Sequence, residues 1–144
     1  MAPASKSCLF CRIAGGEEPA SFAWRDEHIV VFLDTHPLFR GHALVVPVAH
    51  HDTLTDLPVD AVAPLYSVVQ RVAKAMVVLG ADGTFVAQNN VVSQSVPHVH
   101  VHVVPRAKKD GLRGFFWPRV KYESDDERAG YATRLAHAMM TPAE

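Results

Sequence analysis

The chain has 144 residues, 49% of them hydrophobic and 20% charged, with a formal net charge of −1, a size that fits one domain with a real core. That charge balance speaks against a basic face gripping duplex nucleic acid, although a mononucleotide needs only a few donors. No run of about eighteen apolar residues suggests a membrane span, and Met1 to Ser7 has no apolar signal-like stretch, so a cytoplasmic protein without membrane or nucleic-acid partners is expected.

In chain order, Ser7 to Ala14 reads as a short helix, with Ser7 able to cap it and Gly15-Gly16 ending it. The two cysteines, Cys8 and Cys11, share one face of it. A lone pair excludes a disulfide framework and indicates a reduced compartment or a metal. Extended runs follow at Ala20 to Trp24, His28 to Asp34 and His42 to Val48. A helix is predicted from Asp60 to Leu79, where Val62, Leu65, Val69, Val72, Met76 and Leu79 make one narrow apolar seam that is core or, in part, a subunit interface. Thr84 to Gln88 and His98 to Val104 read as two more strands. Ser124 to Glu127 is a capping box opening a last helix, lined on one side by Ala132, Leu135, Ala136 and Met139. Strands joined by short turns, with helices set apart, imply an α+β domain with an antiparallel sheet of about five strands, a long helix and a C-terminal helix. One domain is expected over 1–144, with its core at about 8–106 and a C-terminal loop and helix at 107–144.

Nine histidines are unusual for this length, and three stand in Ser95-Val-Pro-His-Val-His-Val-His-Val-Val-Pro-Arg106. On a strand, alternate side chains share a face about 6.7 Å apart. His98, His100 and His102 are thus expected in a row, with Val99, Val101 and Val103 in the core behind them. Such rings are costly to bury unless they act. A single tetrahedral metal could take at most two of them, because the first and third are then about 13 Å apart. A neutral imidazole flanked by others that hold and donate protons suits attack at phosphorus.

The segment 98–104 resembles the signature of the histidine-triad family. The likeness extends through Cys8-Leu-Phe-Cys11, Phe32-Leu-Asp34, Gly41 to Pro47 and Gln94-Ser95, in the family's order. It implies a HIT-like fold and a nucleotide hydrolase or transferase cleaving nucleoside 5′-monophosphate conjugates, with a nucleotidyl intermediate on His100. By the same resemblance, His98 and His102 flank the nucleophile and His42 completes the fourth position. Asp34 would hold the ribose, and Leu9, Phe10, Ile13, Phe32 and Leu33 would face a purine. Gln94, Ser95 and Asn90 would attend the phosphate and leaving group. The resemblance further implies a structural zinc on Cys8, Cys11, His50 and His98, with His51 able to substitute, no organic cofactor, and a homodimer. Family members usually carry a longer, Gly-containing loop before the glutamine, where this chain has Asn89-Asn-Val-Val-Ser93. The run Gly111 to Arg119 is expected to pack or to tune the leaving group, and Arg106, Arg113 and Arg119 are candidate phosphate contacts. Two other classes compete: a nucleotide-binding regulatory or scaffold protein with incidental catalysis, and a metalloenzyme using the histidines as ligands.

Overall fold

The computed structural model describes residues 5–113 and 119–140. Five strands, β1 (Phe22–Arg25), β2 (Ile29–Leu33), β3 (Ala43–Pro47), β4 (Gly83–Ala87) and β5 (Val101–Arg106), form one antiparallel sheet in the order β1-β2-β3-β5-β4. Helix α1 (Leu9–Ala14) precedes the sheet, and α2 (Val59–Val78) joins β3 to β4. The α+β expectation and the strand count hold. The chain divides into two compact units, Met1–Asp110 and Gly111–Glu144.

β2 and β3 are buried on both faces, which suits their continuous Val, Ile, Leu and Phe. On one face Ile29, Val31, Ala43, Val45, Val99, Val101 and Val103 pack with Leu65, Val68, Val69 and Met76 of α2. On the other, Val30, Phe32, Leu44 and Val46 pack with Phe10, Cys11, Ile13 and Ala14 of α1. Each fully buried aliphatic side chain is worth roughly 1.5–3 kcal/mol here. The predicted seam of α2 lies on this protein's own sheet, except that Leu79 ends outside the helix and exposed. By length and hydropathy α2 would also pass as a membrane span; Leu65, Val68, Val69 and Met76 are its buried residues, packed on the sheet.

Two local expectations are corrected. Cys8, not Ser7, caps α1, because its Sγ accepts the Cys11 N–H at 3.5 Å. The histidine strand begins at Val101, not His98, and runs through Pro105 to Arg106. Val99 N–H donates to the His51 carbonyl at 2.7 Å, so the chain ahead of β5 leaves the ladder with β3. Pro105 is tolerated because it lies beyond the last β3–β5 pair, Ala43–Val103.

In the second unit, α3 (Asp125–Met139) starts as predicted. Ser124 Oγ accepts the Glu127 N–H at 3.0 Å, while the Glu127 carboxylate accepts from Glu123 N–H at 3.1 Å. Its face of Ala132, Leu135, Ala136 and Met139 is exposed. The aromatics Phe115, Phe116 and Trp117 lie outside the described residues.

Candidate functional site

The bend ahead of β5 gathers imidazoles on the α1 face. His102 sits opposite Leu44 on β3, and His42, two residues before Leu44, shares its face. Gly41, at φ +97°, ends the turn that delivers His42, and the His42 N–H donates to the Phe39 carbonyl at 3.0 Å. Ring centroids of His100 and His102 are 5.0 Å apart, and those of His42 and His102 5.1 Å. A regular strand would have spaced the triad more widely.

Hydrogen-bond partners fix the tautomer of each ring. His100 Nδ1–H donates to the His98 carbonyl at 2.7 Å, which leaves the Nε2 lone pair unshared. Leu38 N–H donates to His42 Nδ1 at 3.0 Å, so His42 carries its proton on Nε2 and donates it to His102 Nδ1 at 2.9 Å. His102 must then hold its own proton on Nε2. Asp34 Oδ2 stands 3.7 Å from His42 Nε2. Burial lowers the affinity of all three rings for a second proton. It pushes His102 down to about 4, helped by its neighbours His100 and His42 and opposed by Asp34. His100 and His42 are lowered too, chiefly by burial, with Asp34 pulling the other way on both. The site therefore presents one neutral nucleophilic nitrogen beside a directed pair of N–H donors.

The fourth ring belongs to a different cluster. His98, fully buried, donates Nε2–H to the Pro47 carbonyl at 2.7 Å and turns Nδ1 toward Cys8 Sγ at 3.4 Å and Cys11 Sγ at 3.6 Å. His50 donates Nε2–H to Asp52 Oδ1 at 2.7 Å and turns Nδ1 to Cys11 Sγ at 3.2 Å. Ligand atoms of Cys8, Cys11, His50 and His98 all lie within 4.8 Å of one another. Sulfur and nitrogen across a tetrahedral zinc stand about 3.5 Å apart, given the usual bond lengths. Both imidazole lone pairs thus already point where a metal would sit, each held by an oxygen on the far nitrogen. The donor set fits a metal ion. His51 offers its carbonyl to Val99 instead of its ring to the cluster. The three triad histidines do not converge on one ion, since His98 belongs to the cysteines and His102 to His42.

Of the residues expected around a nucleotide, Phe10 and Phe32 meet edge to face at 5.4 Å, and Phe10 touches the His100 ring at 5.0 Å. Ile13 is buried beside them and Leu9 is exposed at the helix start. Leu33 is corrected: one residue after Phe32, it points to the opposite face and lines an apolar cleft beside α2 with Trp24, Phe39, Val72 and Met76. Arg106 lines that cleft as well and is clamped by Asp110 at 2.6 and 3.0 Å, away from the histidines. In the 89–95 loop, Asn90 Oδ1 accepts from Leu54 N–H and Gln94 spans Val91 and Asp52, while Ser95 is exposed. Sequence reasoning missed the Leu38 N–H, the Pro47 carbonyl and Asp52, the groups that orient the rings. Only Asp52, a carboxylate two residues after a candidate ligand, left a readable trace.

Comparison with known proteins agrees with this geometry. Residues 15–109 match the HIT domain family. A HIT-like protein of Methanocaldococcus jannaschii is 40% identical over 106 residues, 72% of this chain and 82% of the relative. The adenosine 5′-monophosphoramidase hnt1 of Schizosaccharomyces pombe is 32% identical over 125 residues, covering 85% of this chain and 92% of that protein. The crystal structure of a zinc-bound histidine triad family protein from Mycobacterium smegmatis superposes with a TM-score of 0.71 at 39% identity, covering 93% of this chain and 95% of the other. The chain belongs to the HIT domain family.

Proposed function

We propose that the protein hydrolyses nucleoside 5′-monophosphate conjugates at the α-phosphorus, with His100 as the covalent nucleophile. The observation that carries this reading is the His100 ring, which is buried, neutral and committed through Nδ1 to the His98 carbonyl. The phosphoramidase activity named for the fission-yeast relative supports the substrate class.

In the first step Nε2 of His100 forms a bond to phosphorus, and the bond from phosphorus to the leaving group breaks with its electron pair. The negative phosphate opposes the burial that keeps His42 and His102 neutral, so the pair takes up one proton with the substrate. His102, holding a proton on Nε2, passes it to the leaving amine or alcohol. Water then attacks the nucleotidyl-histidine, the pair recovers a proton from it, and Nε2 departs to release the nucleoside monophosphate. Asp34 would accept from ribose hydroxyls, Phe10, Phe32, Ile13 and Leu9 would face the base, and Ser95, Gln94 and Asn90 would border the phosphate. Cys8, Cys11, His50 and His98 would hold zinc, whose chemistry is to cross-link α1 to the segments flanking β3 and β5. A second copy would pair along β4, where Val86 is exposed beside Ala63, Tyr66 and Ala73 of α2.

The test is release of AMP from adenosine phosphoramidate and diadenosine tetraphosphate by the wild type and His100→Ala. Turnover falls by at least about 10³-fold in the variant with its fold retained. Equal inertness of both proteins, with AMP still bound, would replace this reading by a nucleotide-binding role.

A further inference from the structure

The clusters of cysteine and histidine are joined to the 89–95 loop by a short segment that neither cluster explains. Asp52 is at the junction. Its carboxylate accepts the His50 Nε2–H at 2.7 Å, on the side of the ring away from Cys11. Its backbone carbonyl accepts from Gln94 Nε2 at 2.6 Å. Gln94 in turn accepts the Val91 N–H through Oε1 at 2.8 Å, and two residues past Asp52 the Leu54 N–H donates to Asn90 Oδ1, also at 2.8 Å. The segment is stiffened from within: Asp56 Oδ2 accepts from both Thr53 N–H, at 3.0 Å, and Thr53 Oγ1–H, at 2.7 Å, and Thr53 is buried.

The loop at the other end needs holding. Val91 and Ser93 adopt φ of 67° and 61°, the left-handed region that a branched or substituted residue enters at a cost of about 1–2 kcal/mol. Within 89–95 that conformation is closed by Val91 N–H to Gln94 Oε1 at 2.8 Å, Val92 N–H to the Asn90 carbonyl at 2.8 Å and Asn89 Nδ2–H to the Ser93 carbonyl at 3.2 Å. The external anchors are the two on Asp52 and Leu54.

We propose that Asp52 is a positioning residue which links metal occupancy to the shape of the 89–95 loop. Its carboxylate holds the tautomer and angle of His50 so that Nδ1 is the metal-facing nitrogen, and its carbonyl holds Gln94. A metal ion that fixes His50 thereby fixes the strained loop beside the histidines. This rests on the metal reading above. The residue is exposed enough, at 63% of its side chain, for substitutions to leave the fold intact.

The experiment is a competition titration of zinc against a chromophoric chelator on the full chain, for wild type, Asp52→Asn, Asp52→Ala and Gln94→Ala. Amide exchange of Val91 and Leu54 is followed by NMR with and without zinc, and circular dichroism checks the fold. A lost outer partner of a ligating histidine costs about 10–100-fold in affinity. Asp52→Ala is expected to lose that much, Asp52→Asn less, and Gln94→Ala nothing. In the wild type, zinc should slow exchange at both amides, and in Gln94→Ala it should no longer slow Val91. Zinc bound equally by wild type and Asp52→Ala would overturn the role of Asp52 while leaving the metal site standing. Slow exchange that ignores zinc would overturn the link to the loop. A wild type that binds no zinc would remove the metal reading and this proposal together.

Discussion

The two faces of the sheet are built on different terms. Against α2 the buried contacts are mainly aliphatic and interchangeable in kind, with Leu65, Val45, Val101 and Val103 fully buried, and polar contacts such as Tyr66 to Gln88 and Arg71 over Trp24 lie outside that buried cluster. Against α1 the sheet and its flanking residues carry His42, His98 and His102, whose bonded nitrogens meet named partners: Leu38 N–H and His102 for His42, and the Pro47 carbonyl and both cysteine sulfurs for His98. Volume decides what fits on the first face. Hydrogen-bond direction decides it on the second, because a buried imidazole with the wrong tautomer loses a bond that water cannot replace. A fold that separates the two lets stability and chemistry be altered independently.

The largest effects should show that separation most clearly. His100→Ala removes the reacting atom and is expected to abolish turnover with little change in unfolding midpoint. Leu65→Ala is the converse: a fully buried side chain at the centre of the α2 face costs about 2–5 kcal/mol on truncation. Its activity per folded molecule should match the wild type. Urea unfolding together with phosphoramidate turnover checks both, and a Leu65→Ala enzyme that stays stable but loses kcat would merge the two faces.

The α2 face was readable from sequence, and the α1 face only in part. Alternation of His and Val over 98–103 correctly sorts rings from core, since period two survives even where the ladder fails. The bend does not follow from that pattern. Val99 chooses the carbonyl of His51, some fifty residues away, over the neighbouring strand, and no local signal announces a long-range backbone acceptor. The metal set, named through the family likeness, is brought together as expected, because spacing within Cys8-Leu-Phe-Cys11 is local. The ring orientations were illegible for a plain reason: Leu38 N–H and the carbonyls of Pro47 and His98 are backbone groups that every residue type offers. Leu33 was misplaced despite a legible rule, as adjacent strand residues cannot share a face.

Acid should act through the histidines of the α1 face. Folding holds His102 down to about 4 by burial and by the nearby His100 and His42, against the pull of Asp34; His42 is lowered as well. An unfolded histidine titrates near 6.5. Above that pH both states are neutral and nothing changes. Between 6.5 and about 4 the unfolded chain takes up protons that the folded chain refuses, so stability falls as pH falls, on the order of 3 kcal/mol for His102. Denaturant midpoints measured from pH 7.5 to 4 should decline across that window, and His102→Gln should make the decline shallower without abolishing it, because burial holds His98 down to about 4 as well. An unchanged slope in the variant would place the acid sensitivity elsewhere.

The smallest effect tests the alternation directly, at two neighbouring residues of β2. Phe32 packs edge to face with Phe10, which touches the His100 ring, whereas Leu33 lines the cleft beside α2. Phe32→Ala removes an aromatic contact from the wall assigned to the base, where such pairs are worth about 0.5–1.5 kcal/mol beyond their area. AMP binding by calorimetry should weaken several-fold to about tenfold in Phe32→Ala and stay at the wild-type value in Leu33→Ala. A Leu33→Ala protein that bound AMP as poorly as Phe32→Ala would mean that the cleft beside α2 and the histidine site are coupled through β2, and the independence of the two faces would have to be given up.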